Sequence, residues 1–233
     1  QPGSQIQVLW LLHGRGRDHR SLLQLPEVKR QLLASGLWVV LPQGLDGWYV
    51  NSPERAEDRF EDHLSELMQR VAAQYALPSS GANWTIAGWS MGGYGAVRYA
   101  QQHPERVGRV ASVIGLLDFP RPETLPEGQN YRVPQARFGA DPEQWMRFNP
   151  MRSIEQLRDK SLLLITAHDA FDRTMNENFS RALTTAGLPH RFLVLEGAHK
   201  LDVVEKAIPV VLEWITQSRE LDASPHSSTS IKR

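Results

Sequence analysis

The 233-residue chain contains no cysteine, which excludes disulfides, a thiol nucleophile and thiolate metal sites. It carries no net charge, because 26 Lys and Arg balance 26 Asp and Glu. Nucleic-acid binders show a basic excess or a basic stripe, so no nucleic-acid partner is expected. No apolar run approaches eighteen residues, so no membrane span is expected. No metal or cofactor motif stands out: there is no dinucleotide-type glycine spacing with a matching acid and no Gly-Lys-Ser/Thr. The lack of cysteine leaves the compartment open. The chain begins with Gln, so it is read as cytoplasmic, or as secreted or periplasmic after removal of an N-terminal segment. Oligomeric state is not written in the sequence.

What is present is an ordinary globular composition, 41% hydrophobic and 22% charged, in a length that suits one domain with a substantial core. Apolar runs alternate with amphipathic ones. The strand candidates are 6–14, 37–42, 83–89, 109–115, 161–167 and 190–197. Runs apolar on both faces suit the inner strands of a parallel sheet covered by helices. The helix candidates are 53–75, opening at Ser52-Pro53, then 92–103, 174–186 and 201–219, with Pro209 a kink in the last. This order predicts an α/β fold, with a mostly parallel sheet and helices on both faces. Residues 1–221 form the expected domain, 116–150 an irregular proline- and aromatic-rich insertion, and 222–233 a disordered polar tail.

The centre of the stretch NWTIAGWSMGGYGAVRYA reads Gly88-Trp89-Ser90-Met91-Gly92. Gly-x-Ser-x-Gly is weak alone, but here a strand pattern precedes it and a helix pattern follows. That setting marks a nucleophile elbow, in which the turn lifts a serine hydroxyl clear of a sheet. Side chains at the flanking positions would collide with the crossing strand and helix, hence the glycines. The alternative is a plain glycine turn.

A serine hydroxyl needs a base, and the base needs an orienting acid. In a fold with this elbow they follow the serine in the order acid, then histidine. His199, in EGAHK after the last strand, is the base candidate. HDAFD, after the preceding strand, offers Asp172 and Asp169; the longer reach favours Asp172, whose competing role is a helix N-cap. The backbone N–H of Met91 and that of Arg15, in LLHGRGRDH, are the oxyanion-hole candidates. His13 is read as holding that loop.

LLHG, DGWYVNS, AGWSMGGYGA, HDAFD and GAHK together resemble the esterase D-like branch of the α/β-hydrolases. That branch holds tributyrin-type esterases, S-formylglutathione hydrolases, feruloyl esterases and antigen 85-like proteins. The resemblance runs from about residue 8 to residue 215. It implies the α/β-hydrolase fold with a short N-terminal edge, Ser90, Asp172 and His199 as the triad, and Arg15 and Met91 as oxyanion donors. It also implies that Trp48 and Tyr49 lie near the pocket mouth; these and Trp89 are the substrate-binding candidates. The chain departs from the branch at Leu201, where tryptophan is common. The implied activity is hydrolysis of carboxylic esters through an acyl-enzyme with no cofactor, and short acyl groups are expected because the sequence shows no large apolar lid segment. A thioesterase with the same triad is the alternative, and a non-catalytic binding protein on this fold the third reading.

Overall fold

The computed structural model describes residues 6–78, 81–123, 125 and 131–223. Six strands form one sheet: β1 (Val8–Leu12), β2 (Trp38–Val40), β3 (Gly81–Trp89), β4 (Val107–Val113), β5 (Ser161–Ala167) and β6 (Arg191–Leu195). The spatial order is β2-β1-β3-β4-β5-β6, and all five pairings are parallel. The chain steps from β1 to β2 on one side and resumes with β3 on the other. The carboxyl ends of β1 and β3 therefore flank the crevice where strand order reverses, the usual ligand position in open α/β sheets.

Side chains alternate across a strand, and the apolar runs serve both faces. Val8, Trp10 and Leu12 point into one layer, with Ile86, Val110, Leu162 and Leu164. That layer is covered by α2 (Phe60–Gln74), α3 (Met91–Gln102) and α6 (Arg173–Thr185), through Leu64, Met68, Tyr94 and Phe179. Leu9 and Leu11 point the other way, with Ala111, Leu163 and Ile165. There they meet α1 (Pro26–Ala34) and α7 (Leu201–Ala223), through Val28, Leu32, Val204 and Ala207.

Four expectations change. α2 opens at Phe60 rather than near Ser52-Pro53. Ser52 Oγ instead accepts from the backbone N–H of Glu54 and Arg55, and Asn51 bridges Arg59, so these residues form a turn before the helix. α1 was not read from the sequence at all; Pro26 stands in its first turn, and only Val28 and Leu32 are buried. The 116–150 segment is not wholly irregular, since it carries α4 (Gln135–Phe138) and α5 (Pro142–Trp145). α7 runs on to Ala223 with Pro209 inside it, and the rest of the polar tail, 224–233, lies outside the described residues.

Candidate active site

Ser90 stands between β3 and α3 with φ 55° and ψ −119°. That backbone region costs a non-glycine residue about 1–3 kcal/mol and is held only by its surroundings. The holding bonds are visible: the Ser90 N–H donates to the Val113 carbonyl at 2.9 Å, and the Ser90 carbonyl accepts from the Tyr94 N–H at 3.0 Å. The two flanking glycines are required by close approach. A Cβ on Gly88 would lie 2.4 Å from the Gly92 carbonyl group, and one on Gly92 would lie 2.3 Å from the Leu12 carbonyl oxygen. Backbone cannot yield there as a flexible side chain would. Gly92→Ala is accordingly expected to destabilise the fold by about 1–3 kcal/mol or more, read from urea unfolding midpoints.

The Ser90 hydroxyl lies 2.8 Å from His199 Nε2, and His199 Nδ1 lies 2.6 Å from Asp172 Oδ1. The three residues follow the carboxyl ends of β3, β6 and β5, so one end of the sheet delivers them, with β4 lying between β3 and β5. Asp172 is fully buried and occupies the N-cap position of α6, but its side chain makes no capping bond. Its second oxygen is also occupied: Oδ2 accepts from Thr166 Oγ1 at 2.8 Å and from Asn176 Nδ2 at 2.9 Å. Asn176 is fully buried and is itself fixed by donating to the Gly115 carbonyl at 2.7 Å. Thr166 and Asn176 were not singled out from the sequence. The available signals were a polar residue near the carboxyl end of the run SLLLITA, and an amide four residues after Asp172 on the same helix face. Asp169 is 70% exposed and pairs with His168. The Phe171 ring lies 4.3 Å from the His199 ring, centroid to centroid.

Met91 opens α3, whose backbone bond to the Ser90 carbonyl is donated by Tyr94, so the helix does not use the Met91 N–H. Arg15 lies in a turn closed by the Arg17 N–H on the Gly14 carbonyl, 3.2 Å. His13 ties this turn down from below. Its Nε2 accepts from the Gly44 N–H at 2.9 Å, which leaves Nδ1 to donate to the Gly14 carbonyl, also at 2.9 Å. Accepting at Nε2 needs a neutral imidazole, and burial holds its pKa below the ordinary 6.5. As pH falls below 6.5, the unfolded chain takes up this proton before the native one, so the histidine's contribution to stability declines toward acid. The stability advantage of the natural chain over His13→Gln is expected to narrow between pH 7 and pH 5 in urea unfolding. A constant difference would remove His13 from this role.

Trp48 and Tyr49 do not line the pocket mouth; both are only 1% exposed. Each has a left-handed backbone, φ 55° and 56°, which turns both rings inward. Trp48 packs among Tyr94, Phe119, Tyr131 and Phe138, with centroids 5.0–5.8 Å away. The Tyr49 hydroxyl donates to the His13 carbonyl at 3.2 Å, beneath the turn that carries Arg15. Trp89 does border the cleft. That cleft, about 380 Å³, opens over Ser90 and His199 between Gly14, Trp89 and Ile114. Among the described residues, no cluster of three His, Cys, Asp or Glu is placed to hold a metal ion. No helix among them is long and apolar enough to cross a membrane.

Residues 1–202 match the family model described as "Putative esterase". The chain belongs to this esterase family. Among its relatives, Esterase Rv1288 of Mycobacterium tuberculosis strain H37Rv is 25% identical over 233 residues, covering 84% of this chain and 49% of the relative. The chain thus spans about half the length of that relative. Two solved Staphylococcus aureus structures share the esterase-family architecture. The fluorophosphonate-binding serine hydrolase FphF superposes with a TM-score of 0.78 at 19% identity, over 92% of this chain and 85% of that one. The S-formylglutathione hydrolase FrmB superposes with a TM-score of 0.74 at 19% identity, also over 92% and 85%. At these identities the likeness carries the fold, which is that of the α/β-hydrolases, in keeping with the resemblance to the esterase D-like branch.

Proposed function

We propose that this chain hydrolyses carboxylic esters through an acyl-enzyme on Ser90. The observation that carries the reading is the unbroken relay from buried carboxylate to imidazole to hydroxyl, with links of 2.6 and 2.8 Å. In the proposed step His199 Nε2 takes the Ser90 proton while Oγ bonds the ester carbon. The resulting oxyanion is received by the Met91 and Arg15 N–H groups. The carbon–oxygen bond to the alcohol then breaks, and His199 returns the proton to the departing oxygen. A water enters by the same route, giving the free acid and restoring Ser90. Asp172 holds the imidazole with its proton on Nδ1 and stabilises it once charged.

Short acyl groups are the proposed substrates. A cleft of about 380 Å³ lies near the small end of ligand pockets, and Trp89, Ile114, Leu201 and Val204 supply its apolar wall. The test is a p-nitrophenyl ester series from acetate to octanoate, run beside an acyl thioester and a feruloyl ester. The highest kcat/KM is expected at two to four acyl carbons, about tenfold or more above octanoate. A folded chain that turns over no ester would end the proposal. A larger rate on the thioester would move the substrate class and keep the mechanism.

A further inference from the structure

The cleft over Ser90 has an uneven charge that the whole chain does not. Acids and bases balance over 233 residues, yet the residues bordering this cleft include Arg15, Arg17 and Lys200 and no Asp or Glu. The three cations differ in what they face. The Arg15 guanidinium is already engaged: Nε meets Asp46 Oδ1 at 3.0 Å and Nη1 donates to the Tyr131 hydroxyl at 2.7 Å. Arg17 and Lys200 are exposed, and among the described residues neither has a carboxylate within 4.0 Å. The acids nearest to them in sequence, Asp18 and Asp202, have other partners. Asp18 accepts from the Ser21 hydroxyl and the Arg20 N–H, and Asp202 reaches Lys206 at 3.9 Å.

The two unpaired cations come from different loops. Arg17 lies after β1 beside the proposed oxyanion turn, and Lys200 directly follows His199 after β6. Between them the cleft is walled by Trp89, Ile114, Leu201 and Val204, so apart from Ser90 and His199 its polar side chains are cationic. We infer that Arg17 and Lys200 select esters bearing a carboxylate or phosphate group beside the scissile bond. This rests on the esterase reading above and narrows its substrate class. Two cations bordering a cleft raise the local concentration of an anion, and each exposed contact is worth roughly threefold, so the pair together gives about tenfold.

The test pairs anionic esters with neutral ones of like shape. For an anion on the acyl side, the pair is the p-nitrophenyl monoester of glutaric acid and p-nitrophenyl pentanoate. For an anion on the alcohol side, it is 4-acetoxybenzoate and 4-acetoxybenzamide. The ratio of kcat/KM, anionic over neutral, is compared between the natural chain and R17Q/K200Q, with folding of the variant checked by circular dichroism. In at least one pair this ratio is expected to fall about tenfold in the variant. It should also fall when salt rises from about 0.05 M to 1 M, where charges are screened within about 3 Å. Ratios that neither the substitutions nor salt alters in either pair overturn the inference and leave the esterase reading intact. Calorimetric titration with 4-hydroxybenzoate separates the opposite case. Binding lost in R17Q/K200Q, with no ester turned over by the natural chain, would support the cationic site and remove the esterase reading.

Discussion

Ser90→Ala is expected to lower kcat for ester hydrolysis by about six orders of magnitude with the fold in place. The size follows from how the relay works. In the proposed mechanism His199 and Asp172 serve only to remove and return one proton, and without the hydroxyl there is no acyl-enzyme for them to serve. What remains in the proposed mechanism is solvent attack assisted by the proposed oxyanion donors, the Met91 and Arg15 N–H groups. The fold should be little affected. Alanine keeps the Cβ, so the strained φ of 55° costs about the same in both chains, and the backbone bonds to Val113 and Tyr94 remain. The lost side-chain bond is the one to His199, which is only half-buried and can meet water. Single-turnover assays with p-nitrophenyl acetate, alongside a thermal melt, read both halves. Turnover within tenfold of the natural chain would exclude Ser90 as nucleophile.

Asp172→Asn is expected to lower kcat by about four orders of magnitude, through the wrong tautomer of His199. The surroundings decide which way the new amide points. Thr166 and Asn176 both present donors to Oδ2, and Asn176 is pinned by its bond to Gly115. The oxygen of the introduced amide belongs with those donors, so its NH₂ must face His199 Nδ1. Nδ1 then has to accept, the ring proton moves to Nε2, and Nε2 can no longer take the proton of Ser90. The measurement is kcat for the variant with the His199 tautomer followed by nitrogen NMR. A protonated Nδ1 with kcat reduced less than tenfold would mean that the carboxylate does not set the tautomer.

The fold was readable where burial is two-sided. β1 is a continuous apolar run and β3, β4 and β5 are largely apolar ones because both sheet faces are covered, and such runs need no partner to be recognised. α1 escaped because only Val28 and Leu32 anchor it, too few to make a helical stripe stand out. The start of α2 was misjudged because Ser-Pro suits a turn as well as a helix entry, and the choice depended on bonds to Asn51 and Val50. The candidate site was readable through local strain and chain order: two glycines that sterics demand, then an acid and a histidine at the ends of later strands. Its supports were not. Thr166 and Asn176 matter through one oxygen of Asp172, and Trp48 and Tyr49 through a core and a turn formed by distant segments. That Arg17 and Lys200 lie without a carboxylate within 4.0 Å among the described residues is likewise visible only in the folded chain.

The central claim is that the relay makes Ser90, among all the serines of this chain, a nucleophile. A fluorophosphonate added to the folded protein tests it most directly, with intact mass and peptide mapping as the readout. One adduct per chain at Ser90 is expected within minutes, slowed at least a hundredfold or so in His199→Ala. An adduct on another residue, or an unmodified Ser90 in a chain that still hydrolyses esters, would contradict the account.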